Sequence, residues 1–308
     1  MAFDKRTFVL PEGAVFEERT LAAQGDLILG DHVRCGYGLR TPGRVFLGRG
    51  VELKGDILCT GDLRADTSTH IEGSARVGAA GYLGERCFVQ GDLEVEADLD
   101  VGDDVRVGGR LQAKGWVNKR DPVPLVLYIF LYMLELMRLG HSDEVERILK
   151  ELEESDSDIA VGDGFLFVPD HSVLEATSLD IHGNLDAHKG VRILGNAMVR
   201  GHARLGDGVR VFGALRADGD VELRPGAEVQ GDLVAGGEVV VGEGCTILGS
   251  LHGRTVVLYP GATIDGKVVA VEGVSFRTEA QAKAQQTAEA NVEAFAVTKS
   301  ADLADLLG

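Results

Sequence analysis

An apolar residue recurs at every sixth position of this chain, and that rhythm limits the possible folds more than any other feature. Stepping by six from Val9 gives Val15, Leu21, Leu27, Val33, Leu39, Val45 and onward to Val117, with only Thr69 and Gly81 departing from apolar character. Many of these residues are followed two positions later by a second apolar one, as in Leu29, Cys35, Leu47 and Leu53, with a polar residue usually between. Apolar, polar, apolar over three residues is strand alternation. A strand every six residues leaves room only for a corner before the next.

Glycine supplies a longer period. Gly55, Gly73, Gly91 and Gly109 are spaced by 18, and so are Gly30, Gly48, Gly84 and Gly102, with Asp66 in the open slot. Eighteen residues therefore form one coil of three short sides, with glycine at corners that need positive φ or close packing. Residues 18 apart stack in columns such as Cys35, Leu53, Ile71, Val89 and Val107. The predicted fold is all-β, a three-sided parallel β-helix. One coil cannot stand alone. About six inward side chains contribute roughly 1.5–3 kcal/mol each, against roughly 1–2 kcal/mol for ordering each of its residues. Stacking is what makes the array stable, and the end coils then present open strand edges.

The rhythm stops near Trp116 and resumes after about residue 161, running from Phe167 through Val173, Leu179 and Leu185 to Val257 and Thr263. Gly195, Gly213, Gly231 and Gly249 repeat the spacing of 18. Val105 and Val209 lie 104 apart, which is no multiple of 18, so the two arrays are registered separately. We expect β-helix blocks at 1–118 and 158–277, a helical hairpin inserted at 119–157, and a C-terminal helix or tail at 278–308. RTFVLPEGAV is expected to lie in or cap the first coil, because Val15 and Val33 share a column.

In the insertion, residues 125–139 are apolar nearly all round, with only Glu135 and Arg138 charged. Gly140 stops this helix, and Asp143 with Glu146 forms a capping box for a second helix with Val145, Ile148, Leu149 and Leu152 on one stripe. Fifteen helical residues span about 22 Å, short of the ~30 Å hydrocarbon core. An apolar helix must be covered: by the β-helices, by its copy in another subunit, by a membrane surface or by a partner protein.

Chemistry is sparse. A net charge of −18 argues against a nucleic-acid partner, and none is expected. The eight histidines are scattered; His182 and His188, six apart, fall on successive sides. The four cysteines occupy inward columns and suit packing. The acidic corners Asp26, Asp56, Asp62, Asp92 and Asp232 lack the calcium-binding nonapeptide rhythm and read as solvated. No catalytic, cofactor-binding or metal residue is assigned, and no cofactor is expected. The motifs LGDHV at 29–33 and LGDGV at 205–209 look like the hexapeptide of three-sided acyltransferases, which keeps that enzyme class as an alternative. The opening MAFDKRTFVL lacks a signal-peptide pattern, so the expected compartment is the cytoplasm, with reduced thiols.

Residues 219–268, GDVELRPGAEVQGDLVAGGEVVVGEGCTILGSLHGRTVVLYPGATIDGKV, resemble the bactofilins, polymer-forming cytoskeletal proteins, in their G-D-[LV]-x-A, P-G-A-x-V-x-G and V-G-E-G rungs. The first block is similar through GDILCTGDLRA and VQGDLEVEADLDVGDDVRVGG. The resemblance implies a right-handed β-helix that polymerises end to end without nucleotide. It also implies a scaffold for cell shape or enzyme recruitment, often at the inner face of the membrane. A typical bactofilin has one block; this chain has two and a hairpin. The expected partner is the protein itself, through Val15 and Val257 in end coils and Phe130 and Leu134 in the hairpin. A third reading is a membrane-adjacent adaptor docking through 122–155.

Overall fold

A computed structural model describes residues 6–17, 19–119 and 165–277. The expected hairpin, apart from Lys119, and the segment 278–308 lie outside the described residues, as do Phe130 and Leu134. The described secondary structure is all strand, in short pieces laddered into the stacked coils of a parallel β-solenoid. Two compact units divide between Asn184 and Leu185.

In the first unit each coil carries three strands. Val45–Leu47, Glu52–Leu53 and Ile57–Cys59 make one coil, and Leu63–Ala65, His70–Ile71 and Ala75–Val77 the next. Each residue lies over the one 18 positions on, so Ile71 sits between Leu53 and Val89. Backbone bonds run between coils: the Ile57 N–H donates to the Ser74 carbonyl at 2.8 Å and the Gly78 N–H to the Cys59 carbonyl at 2.9 Å. The inward columns are buried, from Leu21 through Leu39, Ile57, Ala75 and Leu93.

The two irregular residues of the six-step series have local explanations. Thr69 is buried, but its hydroxyl lies 2.7 Å from the Asp66 carbonyl oxygen and 3.1 Å from that of Gly48, so the polar group is satisfied. Gly81 occupies an inward slot in which a Cβ would come 2.9 Å from Leu99 Cδ1, so the space belongs to the leucine one coil on.

The opening of this unit departs from the expected phase. Thr7–Leu10 runs antiparallel to Leu166–Val168, with Val9 opposite Phe167, and Val15–Phe16 runs antiparallel to Thr20–Ala22. The buried residues here are Phe8, Leu10, Ala14 and Phe16, whereas Val15 is 44% exposed. Val15 therefore does not share the inward column of Val33. A shift of one residue turns every side chain to the other face, and an antiparallel pair keeps its own register rather than the coil's. The rung behind residue 27 comes from further along the chain: Leu166–Val168 pairs in parallel with Leu27–Leu29, and Val173–Glu175 with Arg34–Cys35.

The second unit repeats the scheme, with Ile193, Val211, Val229 and Ile247 in one buried column. One residue is missing from its penultimate coil. Val234 still pairs with His252, but Val239 pairs with Val256, 17 positions on, and two sides merge into the strand Leu251–Leu258. The inward residues become Val256 and Ile264. Val257 and Thr263, the expected ones, fall out of phase, and Thr263 is exposed. Expectation and structure part here because a six-residue step cannot register a single deletion.

Glycine plays two separate roles. The Gly55–Gly73–Gly91 column has no positive φ; a Cβ on Gly73 would lie 2.5 Å from the carbonyl carbon of Gly55, so the requirement is close packing between coils. Positive φ belongs to another corner, held by His32, Gly50, Ser68, Arg86 and Asp104 in the first unit and by Gly190, Gly208, Gly226 and Gly244 in the second. Overpacking costs about 1–3 kcal/mol, so Gly73→Ala should lower the denaturant midpoint by that equivalent. Ser68→Gly should be near neutral. Its relief of a left-handed side chain, about 1 kcal/mol, offsets the entropy that a glycine adds to the unfolded chain.

Candidate functional site

The acidic corners are occupied by the protein's own backbone. Asp62 Oδ1 accepts the N–H of Ala80 at 3.0 Å, Asp92 that of Arg110 at 2.7 Å, and Asp98 that of Trp116 at 2.7 Å. Asp220 and Asp232 do the same for Glu238 at 2.8 Å and Ser250 at 2.7 Å. Every bond reaches 18 residues on, so these carboxylates tie one coil to the next. Asp26, expected in solvent, is buried; it accepts the Arg44 N–H at 2.8 Å and pairs with the guanidinium. Asp31 holds Arg49 in the same way, through its N–H at 2.8 Å and Nε at 3.0 Å. Among the described residues no group of three or more His, Cys, Asp or Glu is placed to hold a metal ion.

The nucleophile candidates are poorly disposed to react. All four cysteines are free and buried, and burial pushes the thiols of Cys35 and Cys59 up to about 12. Burial raises Cys87 and Cys245 as well. A thiol held protonated is a weak nucleophile. His182, His188, His202 and His252 are exposed, and His70 is half-buried against the Phe88 ring at 4.9 Å. His32 and His171, both exposed corner residues with positive φ, stack at 5.1 Å.

The surfaces that stand out are the terminal coils. In the first unit Leu99 is fully buried, whereas Val117, directly above it in the same column, is 51% exposed. Leu111, above buried Leu93, is exposed as well, and Trp116 projects with 79% of its surface open. Among the described residues, the strands Leu111–Ala113 and Val117–Lys119 each have a ladder partner on one side only. The second unit ends alike: Val268 lies over buried Leu251 and Val274 over buried Val256, and both are exposed, as is Phe276. Among the described residues each terminal coil thus presents open backbone edges and an uncovered cross-section of the core, the surface that a further coil would cover.

No known family model, no curated protein and no solved structure matches the chain. Its own geometry carries the functional reading.

Of the expected contact residues, Val15 is exposed but sits in the antiparallel hairpin. Val257 is 6% exposed, with Val240 on one side and Ser275 on the other. Neither lies on an open terminal coil. The terminal-coil residues that sequence reasoning passed over are Leu111, Trp116 and Phe276. For Leu111 and Trp116 the signal was the lapse of the rhythm at Trp116, which marks the last rung of the first array.

Two outcomes follow. Val257→Asp should destabilise by on the order of 2–5 kcal/mol, because a carboxylate is forced into a covered site, whereas Val15→Asp should leave the melting temperature nearly unchanged. The second concerns Asp31. Burial alone would raise its carboxyl, but the Arg49 hydrogen bonds and charge outweigh that and hold it below the usual range. Its contribution is present above the unfolded value, about 3.9, and is lost as pH falls through the lower folded one. Acid titration of Arg49→Ala should show less loss of stability below about pH 4 than the parent.

Proposed function

We propose that the protein is a non-enzymatic, self-assembling scaffold of the bactofilin type, a right-handed β-helix that associates through its terminal coils without nucleotide. The observation that carries this reading is the set of buried columns that run through each unit and end uncovered at Val117 and Val274. Docking a coil of another copy there would extend the parallel ladders and remove Leu111, Val117 and Trp116 from water. Each large apolar side chain fully buried in this way contributes roughly 1.5–3 kcal/mol.

Repulsion opposes association, since every copy carries a charge of −18. That term is long-range and screened by salt, with a Debye length of about 8 Å at physiological ionic strength. The sequence has no phosphate-cradling glycine loop to make assembly depend on a nucleotide. The cytoplasmic place is the expectation drawn above from the sequence, and the inner face of the membrane and a role in cell shape come from the bactofilin resemblance. No described helix is long and apolar enough to cross a membrane. The acyltransferase reading draws less support, because exposed corner histidines lack the desolvated setting that tunes a general base.

Negative-stain microscopy and light scattering across a salt series test the proposal. The expected result is filaments, sheets or discrete oligomers that grow as salt rises. Trp116→Asp combined with Val117→Asp should abolish them while leaving the melting temperature within a few degrees, as for exposed sites. Monodisperse monomers at every ionic strength would falsify the scaffold reading.

A further inference from the structure

The left-handed corner of the first unit runs as a column through His171, His32, Gly50, Ser68, Arg86 and Asp104, one residue per coil. Its first two places hold the same dipeptide, Asp170-His171 beside Asp31-His32. Ladder register sets one over the other: Val173 lies beside Arg34, and the His171 N–H donates to the Asp31 carbonyl at 2.8 Å. The partners are remote in sequence, so no spacing motif announces them. Glycine, the residue that this backbone suits best, fills the same corner of the second unit at Gly190, Gly208, Gly226 and Gly244.

Both imidazole rings are exposed, and they stack at 5.1 Å with their planes 17° apart. His32 also lies over the next place in the column. A Cβ on Gly50 would come 3.0 Å from His32 Cδ2, so the glycine leaves room for that ring. The preceding carboxylates are turned to the backbone. Asp170 accepts the Asp31 N–H at 2.8 Å, and Asp31 accepts that of Arg49 at 2.8 Å and pairs with its guanidinium at 2.7 Å. The corner therefore offers two imidazoles about 4.8 Å apart along the stack, with no third ligating side chain among the described residues. At ordinary zinc–imidazole bond lengths, two nitrogens on one ion lie at most about 4 Å apart. Exposed rings reach that spacing by turning about their Cβ–Cγ bonds.

We propose that His32 and His171 share one divalent cation of the imidazole-preferring class, Zn²⁺, Ni²⁺ or Cu²⁺, with water completing its coordination. Mg²⁺ and Ca²⁺ want several oxygen ligands, and the two carboxylates here are engaged by backbone N–H groups. The ion acts as a clamp. It ties the rung of Val173–Glu175 to that of Arg34–Cys35, whose corner residues Asp170 and Asp31 are 139 positions apart in the chain. In the unfolded chain, bringing two groups so distant onto one ion carries the entropy cost of closing a long loop. The native state has already met that cost, so the ion binds it preferentially and stabilises it. The site stands independently of the scaffold proposal.

Isothermal titration of the full-length, untagged protein with NiCl₂, ZnCl₂ and MgCl₂ tests the clamp. The expected result is one Ni²⁺ or Zn²⁺ per chain in the micromolar range and no Mg²⁺ uptake. His32→Asn and His171→Asn keep a residue that tolerates the left-handed backbone, and each should weaken binding by about tenfold or more. His252→Asn should bind as the parent does. At free Ni²⁺ about 100 times the dissociation constant, the folding equilibrium of the parent should move about a hundredfold toward the native state. That gain, read as a higher denaturant midpoint, should vanish in either corner variant. Binding that survives both substitutions, or that falls with only one of them, is an adventitious ion only and overturns the shared site. Half an ion per chain, which would join two molecules, overturns it as well, and so does affinity no better than millimolar. A second measurement needs no substitution. Saturating Ni²⁺ should protect both His32 and His171, but not His252, from carbethoxylation by diethyl pyrocarbonate, as mapped by peptide mass. Unchanged modification of the two corner histidines also refutes the proposal.

Discussion

The structure depends on the hydrogen bond between one coil and the next. A three-strand coil of eighteen residues makes almost no ladder within itself; its N–H groups, such as those of Ile57 and Gly78, find carbonyls on neighbouring coils. Buried backbone groups must be paired, so each coil must match its neighbour in length. That requirement produces the columns, places a small residue wherever two corners press together, and leaves the last coil of any stack with one open side. The corner carboxylates reinforce it, since Asp62, Asp92 and Asp98 each take an N–H from the following coil.

Much of this was legible in the sequence, and what was missed shares one cause. From Leu21 to Val117 a step of six picks out inward residues, because nothing in that stretch changes the coil length. Val15 failed because the chain reverses into an antiparallel pair before the first full coil. Val257 failed because one residue is absent after His252, and a period-two pattern converts a single deletion into a change of face. The corner acids were visible as a repeat, but their partners were not. A carboxylate that receives a backbone N–H 18 positions away leaves no mark of its own beyond that repeat.

Surface apolarity has the same logic. Outward residues carry no packing duty, so a run such as Phe167, Ile28 and Phe46 requires a reason outside the columns. Register supplies one by bringing residue 167 beside residue 28, a neighbourhood that no linear reading of the chain suggests. The exposed end residues Trp116 and Val117 arise differently. Val117 is an ordinary core position from which the next layer is missing, and Trp116 stands in the corner column above Asp98.

The left-handed corner has an evolutionary consequence. The second unit fills it with Gly208, Gly226 and Gly244, while the first admits His32, Ser68, Arg86 and Asp104. Every side chain tolerated there forgoes about 1 kcal/mol, yet it gains a place on a straight edge at a fixed pitch of about 4.8 Å. The first unit thus carries a graduated row of interchangeable pegs, where new chemistry can be mounted one coil at a time without disturbing the interior.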